Sequence, residues 1–222
     1  MGEGIFGRTL LVAGGEIVLD FVKKYLKTEQ FQTVIGVDAG LNALERLHIV
    51  PDYALGDFDS VSGEAAKVYE NEHTKVFSFP PEKDATDLEL GINLAIRGEA
   101  EEIVILGATG RRLDHFIANV HLLFSSVQTG IPMYLVDSHN RISLLKEKRE
   151  FRRDELFGSY ISFLPFTDEV RGLTLKGFAY EVEDFLLKKG SSIGVSNEPA
   201  KGTETMIAKA KEGILIVVES RD

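Results

Sequence analysis

The sequence predicts an α/β domain on a mostly parallel sheet with flanking helices, followed by a small all-β sandwich. Three observations carry that prediction. Residues 1–139 alternate short β-branched runs with segments of helical periodicity. Residues 140–222 present one short candidate strand after another with almost no helical pattern between them. Polar motifs rich in Gly, Asp and Arg stand at the carboxyl ends of the early strands, where an open parallel sheet binds ligands. The first domain is thus Rossmann-like in its alternation, and it contains no P-loop, since Gly-x-x-x-x-Gly-Lys-Ser/Thr occurs nowhere in the chain.

In order along the chain, residues 9–13 read as a strand ending in Gly14-Gly15, followed by Val18, Phe21, Val22, Tyr25 and Leu26 at helical spacing. Residues 33–37 form a second β-branched run, and Leu41, Leu44 and Leu47 share one helix face after it. Strands are expected at 53–55, 75–79, 103–106 and 133–136, with helices near 64–69, 88–96 and 113–124. The boundary falls near 138–141, which divides the chain into domains 1–139 and 140–222. Beyond it, strands are expected at 141–145, 160–163, 170–175, 205–210 and 214–219, and only 184–188 hints at a helical turn.

Composition narrows the function. The chain has 222 residues, 25 Lys+Arg against 35 Asp+Glu, and a formal charge of −10. Such a surface repels phosphate backbones and anionic lipid, so neither nucleic acid nor membrane is an expected partner. A phosphorylated small-molecule substrate would instead need a divalent cation. The absence of cysteine excludes disulfides, thiolate zinc sites and cysteine nucleophiles, and it fits a reducing cytoplasm. The amino-terminal segment lacks the basic and long apolar regions of a signal peptide, and no run approaches the ~20 apolar residues of a membrane span. The expected location is the cytoplasm.

Three motifs carry chemistry. In Gly56-Asp57-Phe58-Asp59-Ser60 a strand ends in two aspartates two residues apart, whose side chains converge in extended backbone. Their repulsion calls for a hard cation such as Mg²⁺, although an isolated pair of this kind is usually a polar turn with Asp59 or Ser60 capping the next helix. In Lys83-Asp84-Ala85-Thr86-Asp87-Leu88-Glu89, Thr86 and Glu89 fit a helix-starting capping box, with Leu88, Ile92, Ala95 and Ile96 as the apolar stripe behind it. The box leaves Lys83 and Asp84 unexplained, and a lysine with carboxylates at a helix start suits phosphate and metal. In Gly107-Ala108-Thr109-Gly110-Arg111-Arg112-Leu113-Asp114-His115, a glycine-containing loop leads from a strand into a helix. Leu113, Phe116, Ile117, Val120, Leu123 and Phe124 form that helix's apolar stripe, and Arg112, Asp114, His115 and Asn119 lie off it. Arginine offers a planar fork for phosphate. Taken singly, each motif has a bland reading as a solvated turn. With Asp38 at the end of the second strand, four polar motifs fall at successive carboxyl ends, which turn chemistry alone does not explain.

The ordered set Asp38-Ala39-Gly40, Asp57-Phe58-Asp59, Lys83 to Asp87, Arg112-Leu113-Asp114-His115 and Ser196-Asn197-Glu198 resembles the bacterial thiamine pyrophosphokinases over roughly residues 9–219. The resemblance implies transfer of a diphosphoryl group from ATP to the hydroxyl of thiamine, giving thiamine diphosphate and AMP. It also implies a homodimer with sites at the subunit interface. Residue by residue, it implies that Asp57, Asp59 and Asp87 hold Mg²⁺ and that Asp38, Lys83, Thr86, Arg112, His115 and Asn119 bind ATP. Asp84 or Asp114 would receive the thiamine hydroxyl proton, and Ser196 and Asn197 would contact the pyrimidine. The chain departs from the family pattern at Ala39 and Leu41, at Arg111 where glycine is common, and in having no tryptophan; Tyr180, Phe178 or Phe185 would supply the aromatic contact. Two other readings compete: a metal-dependent glycosyl- or nucleotidyltransferase using Asp57 and Asp59, and a non-catalytic nucleotide-sensing module.

Overall fold

The computed structural model describes residues 5–57, 73–78, 84–110 and 112–222. The chain divides into two compact units, Met1–Ser138 and His139–Asp222. The strand at 75–79, the helix near 64–69, and Asp59, Lys83 and Arg111 fall wholly or partly outside the described residues.

In the first unit the chain runs β1 (Gly7–Val12), α1 (Leu19–Thr28), β2 (Thr33–Val37), α2 (Gly40–Arg46), β3 (Tyr53–Gly56) and β4 (Lys75–Ser78). It continues through α3 (Asp87–Arg97), β5 (Ala100–Leu106), α4 (Leu113–Leu122), α5 (Phe124–Thr129) and β6 (Met133–Val136). The strands lie in the order β4-β3-β2-β1-β5-β6, and every pair is parallel. Leu10, Leu11 and Val12 of β1 and Ile103 to Leu106 of β5 are buried, as expected of central parallel strands covered on both faces. The chain builds outward from β1 to β4 and then returns to the other side of β1 with β5. The ends of β1 and β5 therefore form the switch point at which such sheets open a crevice.

Local sequence explains most of these elements. Thr86 is the N-cap of α3, and its hydroxyl accepts from the Glu89 N–H at 3.2 Å. Leu88, Ile92 and Ala95 are buried behind it, and Ile96 is half-buried. The single helix expected over 113–124 is instead two, meeting at Leu123, and the second extends to Thr129 before Gly130 closes it at φ +78°. The polar run Ser125, Ser126, Gln128, Thr129 gave no apolar periodicity from which α5 could be read. The α4 stripe is only partly buried. Val120 and Leu123 are in the core, while Leu113 and Ile117 are 71% and 56% exposed.

The second unit contains β7 (Asn140–Leu145), β8 (Lys148–Arg152), β9 (Tyr160–Pro165), β10 (Glu169–Lys176), β11 (Val182–Lys188), β12 (Thr205–Lys209) and β13 (Leu215–Ser220). β13 pairs with β7 and β9, and a four-stranded sheet runs β11-β10-β12-β8, with all pairs antiparallel. Phe151, Phe163 and Phe178 meet edge-to-face at centroid distances of 5.3–6.1 Å in the core, beside Leu173, Leu175, Met206, Leu215 and Val217. Two expectations change here. Residues 184–188 are not a helical turn but the end of β11, where Asp184 takes φ +51° and the register with β10 shifts. That bulge breaks the alternation and turns both Val182 and Phe185 toward the core, three residues apart, a spacing that imitates a helix. β8 was not expected at all, because four of its five residues are charged and only Phe151 is buried.

Candidate functional site

Residues after β1, β2 and β5 and the first turns of α3 and α4 line a cleft of about 910 Å³ in the first unit. The backbone shapes its floor. The Gly15 N–H donates to the Gly107 carbonyl at 2.8 Å, and the Ala13 N–H to that of Leu106 at 2.8 Å, so the loops after β1 and β5 are stitched together. Gly107 has φ +70°, and a Cβ there would fall 2.3 Å from the Ala13 carbonyl oxygen, so no other residue fits. Asn119 on α4 reaches back to the same loop and donates from Nδ2 to the Ala108 carbonyl at 2.8 Å.

Asp38 follows β2 in the left-handed region at φ +45°, an uncommon conformation for aspartate. Its N–H donates to Leu55 at 2.9 Å, and its carbonyl accepts from Leu41 at 3.0 Å. The carboxylate lies against Gly56, where a Cβ would come within 1.7 Å of Oδ1, so the end of β3 is glycine because Asp38 is there. Arg112 and Asp114 pair side-on across the first turn of α4: Nε donates to Oδ1 at 3.2 Å and Nη2 to Oδ2 at 2.6 Å. The Arg112 hydrogen bond, and after it the His115 backbone N–H, hold the Asp114 carboxyl down to about 2, while Asp114 raises the guanidinium.

The structure thus brings together Asp38, Thr86, Asp87, Arg112, Asp114, His115 and Asn119 on one cleft. Asp57 stands half-buried one residue past β3, and Asp84 is exposed before α3; neither is among the lining residues. Asp59 and Lys83 lie outside the described residues, among which no cluster of three His, Asp or Glu side chains is placed to hold a metal. Sequence reasoning missed Glu16, which also lines the cleft. Its signal was position alone, directly after Gly14-Gly15 at the end of β1.

In the second unit Ser196 and Asn197 sit on a loop that pairs with β9 through Ile161. Ser196 is exposed, has φ +56°, and donates its N–H to the Ser162 hydroxyl at 2.9 Å. Asn197 is 4% exposed. Its Oδ1 accepts from the Tyr180 and Glu198 N–H groups at 3.0 and 2.9 Å, and its Nδ2 donates to the Tyr180 carbonyl at 2.8 Å. Phe178 is buried in the core, whereas Tyr180 is 70% exposed.

Residues 22–135 match the family model described as thiamin pyrophosphokinase, catalytic domain, and residues 146–215 match thiamin pyrophosphokinase, vitamin B1 binding domain. The chain is 36% identical over 203 residues to a thiamine pyrophosphokinase of Bacillus subtilis, covering 88% of this chain and 90% of that one. A crystal structure of thiamine pyrophosphokinase from Bacillus subtilis superposes with a TM-score of 0.85 at 32% identity, over 97% of this chain and 99% of that one. A thiamin pyrophosphokinase structure from Geobacillus thermodenitrificans gives 0.83 at 29% identity, over 97% and 98%. Among the described residues no helix is long and apolar enough to cross a membrane.

Proposed function

Since the chain belongs to the thiamin pyrophosphokinase family, we propose that its cleft binds ATP and directs the β-phosphorus to the hydroxyl of thiamine. The products are thiamine diphosphate and AMP. The hydroxyl oxygen forms a bond to the β-phosphorus, the bond from that phosphorus to the oxygen bridging it to the α-phosphorus breaks, and the hydroxyl proton passes to a base. The observation that carries this reading is the cleft at the β1/β5 switch point, into which α3 and α4 present Thr86, Asp87, Arg112, Asp114 and His115. Both domains of the family are matched, so the glycosyltransferase and nucleotide-sensor readings are not favoured.

The charge of the cleft speaks for Mg²⁺. Glu16, Asp38, Asp87 and Asp114 line it, and Arg112 is the sole permanent cation among the described lining residues. A triphosphate would meet net repulsion there without a divalent ion. Asp57, Asp59 and Asp87 offer the hard oxygen ligands such an ion takes. Bound there, Mg²⁺ would neutralise phosphate charge and polarise the transferred group. Lys83 and Arg112 would add positive charge, Thr86, His115 and Asn119 would border the nucleotide, and Asp84 or Asp114 would take the hydroxyl proton. While Arg112 holds it, Asp114 is a poor base.

In the second unit the Asn197 amide is committed to the Tyr180 and Glu198 backbone. Its part is therefore to hold the loop that presents the Ser196 hydroxyl to thiamine, and the exposed Tyr180 ring is the aromatic best placed to pack on the substrate. We further propose a homodimer, in which a second copy would cover exposed apolar residues such as Leu113, Ile117, Ile193 and Val195. The reaction belongs in the cytoplasm, where a cysteine-free chain using ATP fits, and a charge of −10 argues against nucleic-acid or membrane partners.

Purified protein with ATP, Mg²⁺ and thiamine should yield AMP and thiamine diphosphate together, each dependent on thiamine and lost in EDTA. ADP with thiamine monophosphate would overturn the diphosphoryl assignment, and folded protein that forms no thiamine-dependent product would overturn the function.

A further inference from the structure

The side-on pair of Arg112 and Asp114 is more than a surface ion pair. We infer that Asp114 occupies the phosphate-binding edge of Arg112 while the cleft is empty, and that the nucleotide's phosphates displace it. This rests on the proposed ATP cleft and adds a competition built into it.

The geometry is that of substrate mimicry. A carboxylate and a phosphate present paired oxygens to a guanidinium in the same bidentate manner, and Asp114 uses Nε and Nη2 together in that way. Both groups line the cleft, yet their side chains are 71% and 64% exposed, so water reaches the pair and holding it together contributes little. A pair this loosely held yields to a ligand carrying several negative charges. The released carboxylate stays in the first turn of α4, where the helix dipole favours a negative charge. Asp114 is thus a positioning residue. It keeps the one permanent cation among the described lining residues engaged at the start of α4 in the empty protein and gives it up when phosphate arrives.

The consequence is a change of sign. Were Asp114 merely structural, or a ligand for the nucleotide's metal, its loss would weaken nucleotide binding. As a competitor for Arg112, its loss strengthens binding. The experiment is titration calorimetry with Mg²⁺ and α,β-methylene-ATP, which cannot transfer its diphosphoryl group, on the full chain and on Asp114→Asn, Arg112→Gln and the double variant. Both residues are exposed, so the variants should fold, and circular dichroism of each serves as the control.

Asp114→Asn should tighten binding, and the gain should be about two- to fivefold greater with Arg112 present than in the Arg112→Gln background, in line with the worth of an exposed ion pair. Weaker binding by Asp114→Asn would overturn the inference. Equal tightening in both backgrounds would also overturn it, since that is the effect of removing a negative charge anywhere near the phosphates. Failure of the unsubstituted chain to bind the nucleotide would instead sink the ATP reading beneath it.

Discussion

The two units use polar residues in opposite ways. Residues 1–138 carry 11 Lys+Arg against 21 Asp+Glu, while residues 139–222 carry 14 of each, so the whole charge of −10 sits in the unit with the cleft. In the second unit charged and amide groups are matched and turned on the backbone. Glu219, 2% exposed at its side chain, takes both edges of its carboxylate to Arg141 and also accepts from the Phe157 N–H at 3.1 Å. Arg149 donates to Ser143 and Leu144, and Arg153 to Ala200 and Thr203. These groups hold a sandwich of irregular connections together. The first unit uses the same device where Arg8 bridges Glu29 and Glu102 and where Asp52 accepts from the Val34 N–H. But Glu16, Asp38, Asp87 and Asp114 also gather along its cleft, where the unit's acidic surplus calls for cations. Surplus negative charge marks the unit with the cleft, and balanced charge marks the unit whose loops are held by side chains.

The largest effect should come from the acidic unit. Replacing Asp57 with alanine should lower turnover by about 10²–10³-fold or more if it holds the metal that stabilises the transferring group. The half-buried position at a strand end should lose no more than about 1 kcal/mol of stability. Product formation at saturating Mg²⁺ and a thermal melt read the two quantities separately. Near-normal turnover would remove Asp57 from the metal site, and a large melting shift would make it a scaffold residue like those of the second unit.

Asn197 is the counterpart. Its alanine variant leaves the partly buried Tyr180 and Glu198 backbone groups without three side-chain hydrogen bonds, which should cost about 1–3 kcal/mol and lower the melting temperature. Ser196→Ala should leave the melt unchanged and raise the KM for thiamine several-fold. If instead Asn197→Ala melts normally and only thiamine binding suffers, the contrast between the units fails at its clearest residue.

What the sequence disclosed follows the same division. The parallel strands, the α3 capping box at Thr86 and Glu89, and the polar motifs at strand ends were legible because each depends on neighbours a few residues away. β8 and the bulged β11 were not, since their exposed charges and the turn at Asp184 make sense only against partner strands. Asp38 could be picked out as a polar residue at the end of β2, but the packing of its carboxylate against Gly56 of the neighbouring strand could not. Asn197 could be picked out by motif, but its bonds to Tyr180, 17 residues away, could not. Residue identity shows which groups are available for chemistry; only the fold shows which of them are already engaged.

Asn119 tests the boundary between the two behaviours, because it is a scaffold-type amide inside the reactive unit. Its Nδ2 holds the Ala108 carbonyl at 2.8 Å and so fixes the loop between Gly107 and Gly110 against α4. Alanine there removes one partly buried hydrogen bond, for about 1 kcal/mol of stability, and leaves the loop to sample other conformations. If the loop serves to receive the nucleotide, the KM for ATP should rise by about three- to tenfold, because an ordered conformation must be restored on binding. The kcat should stay within about twofold, because the reacting groups are unchanged once the nucleotide is seated. Asn119→Asp should be the worse variant, since it turns a carboxylate toward a carbonyl oxygen and adds a negative charge to an already acidic cleft. A fall in kcat with an unchanged KM would mean that Asn119 touches the transferring group itself, and the amide would then belong with the chemistry rather than with the frame.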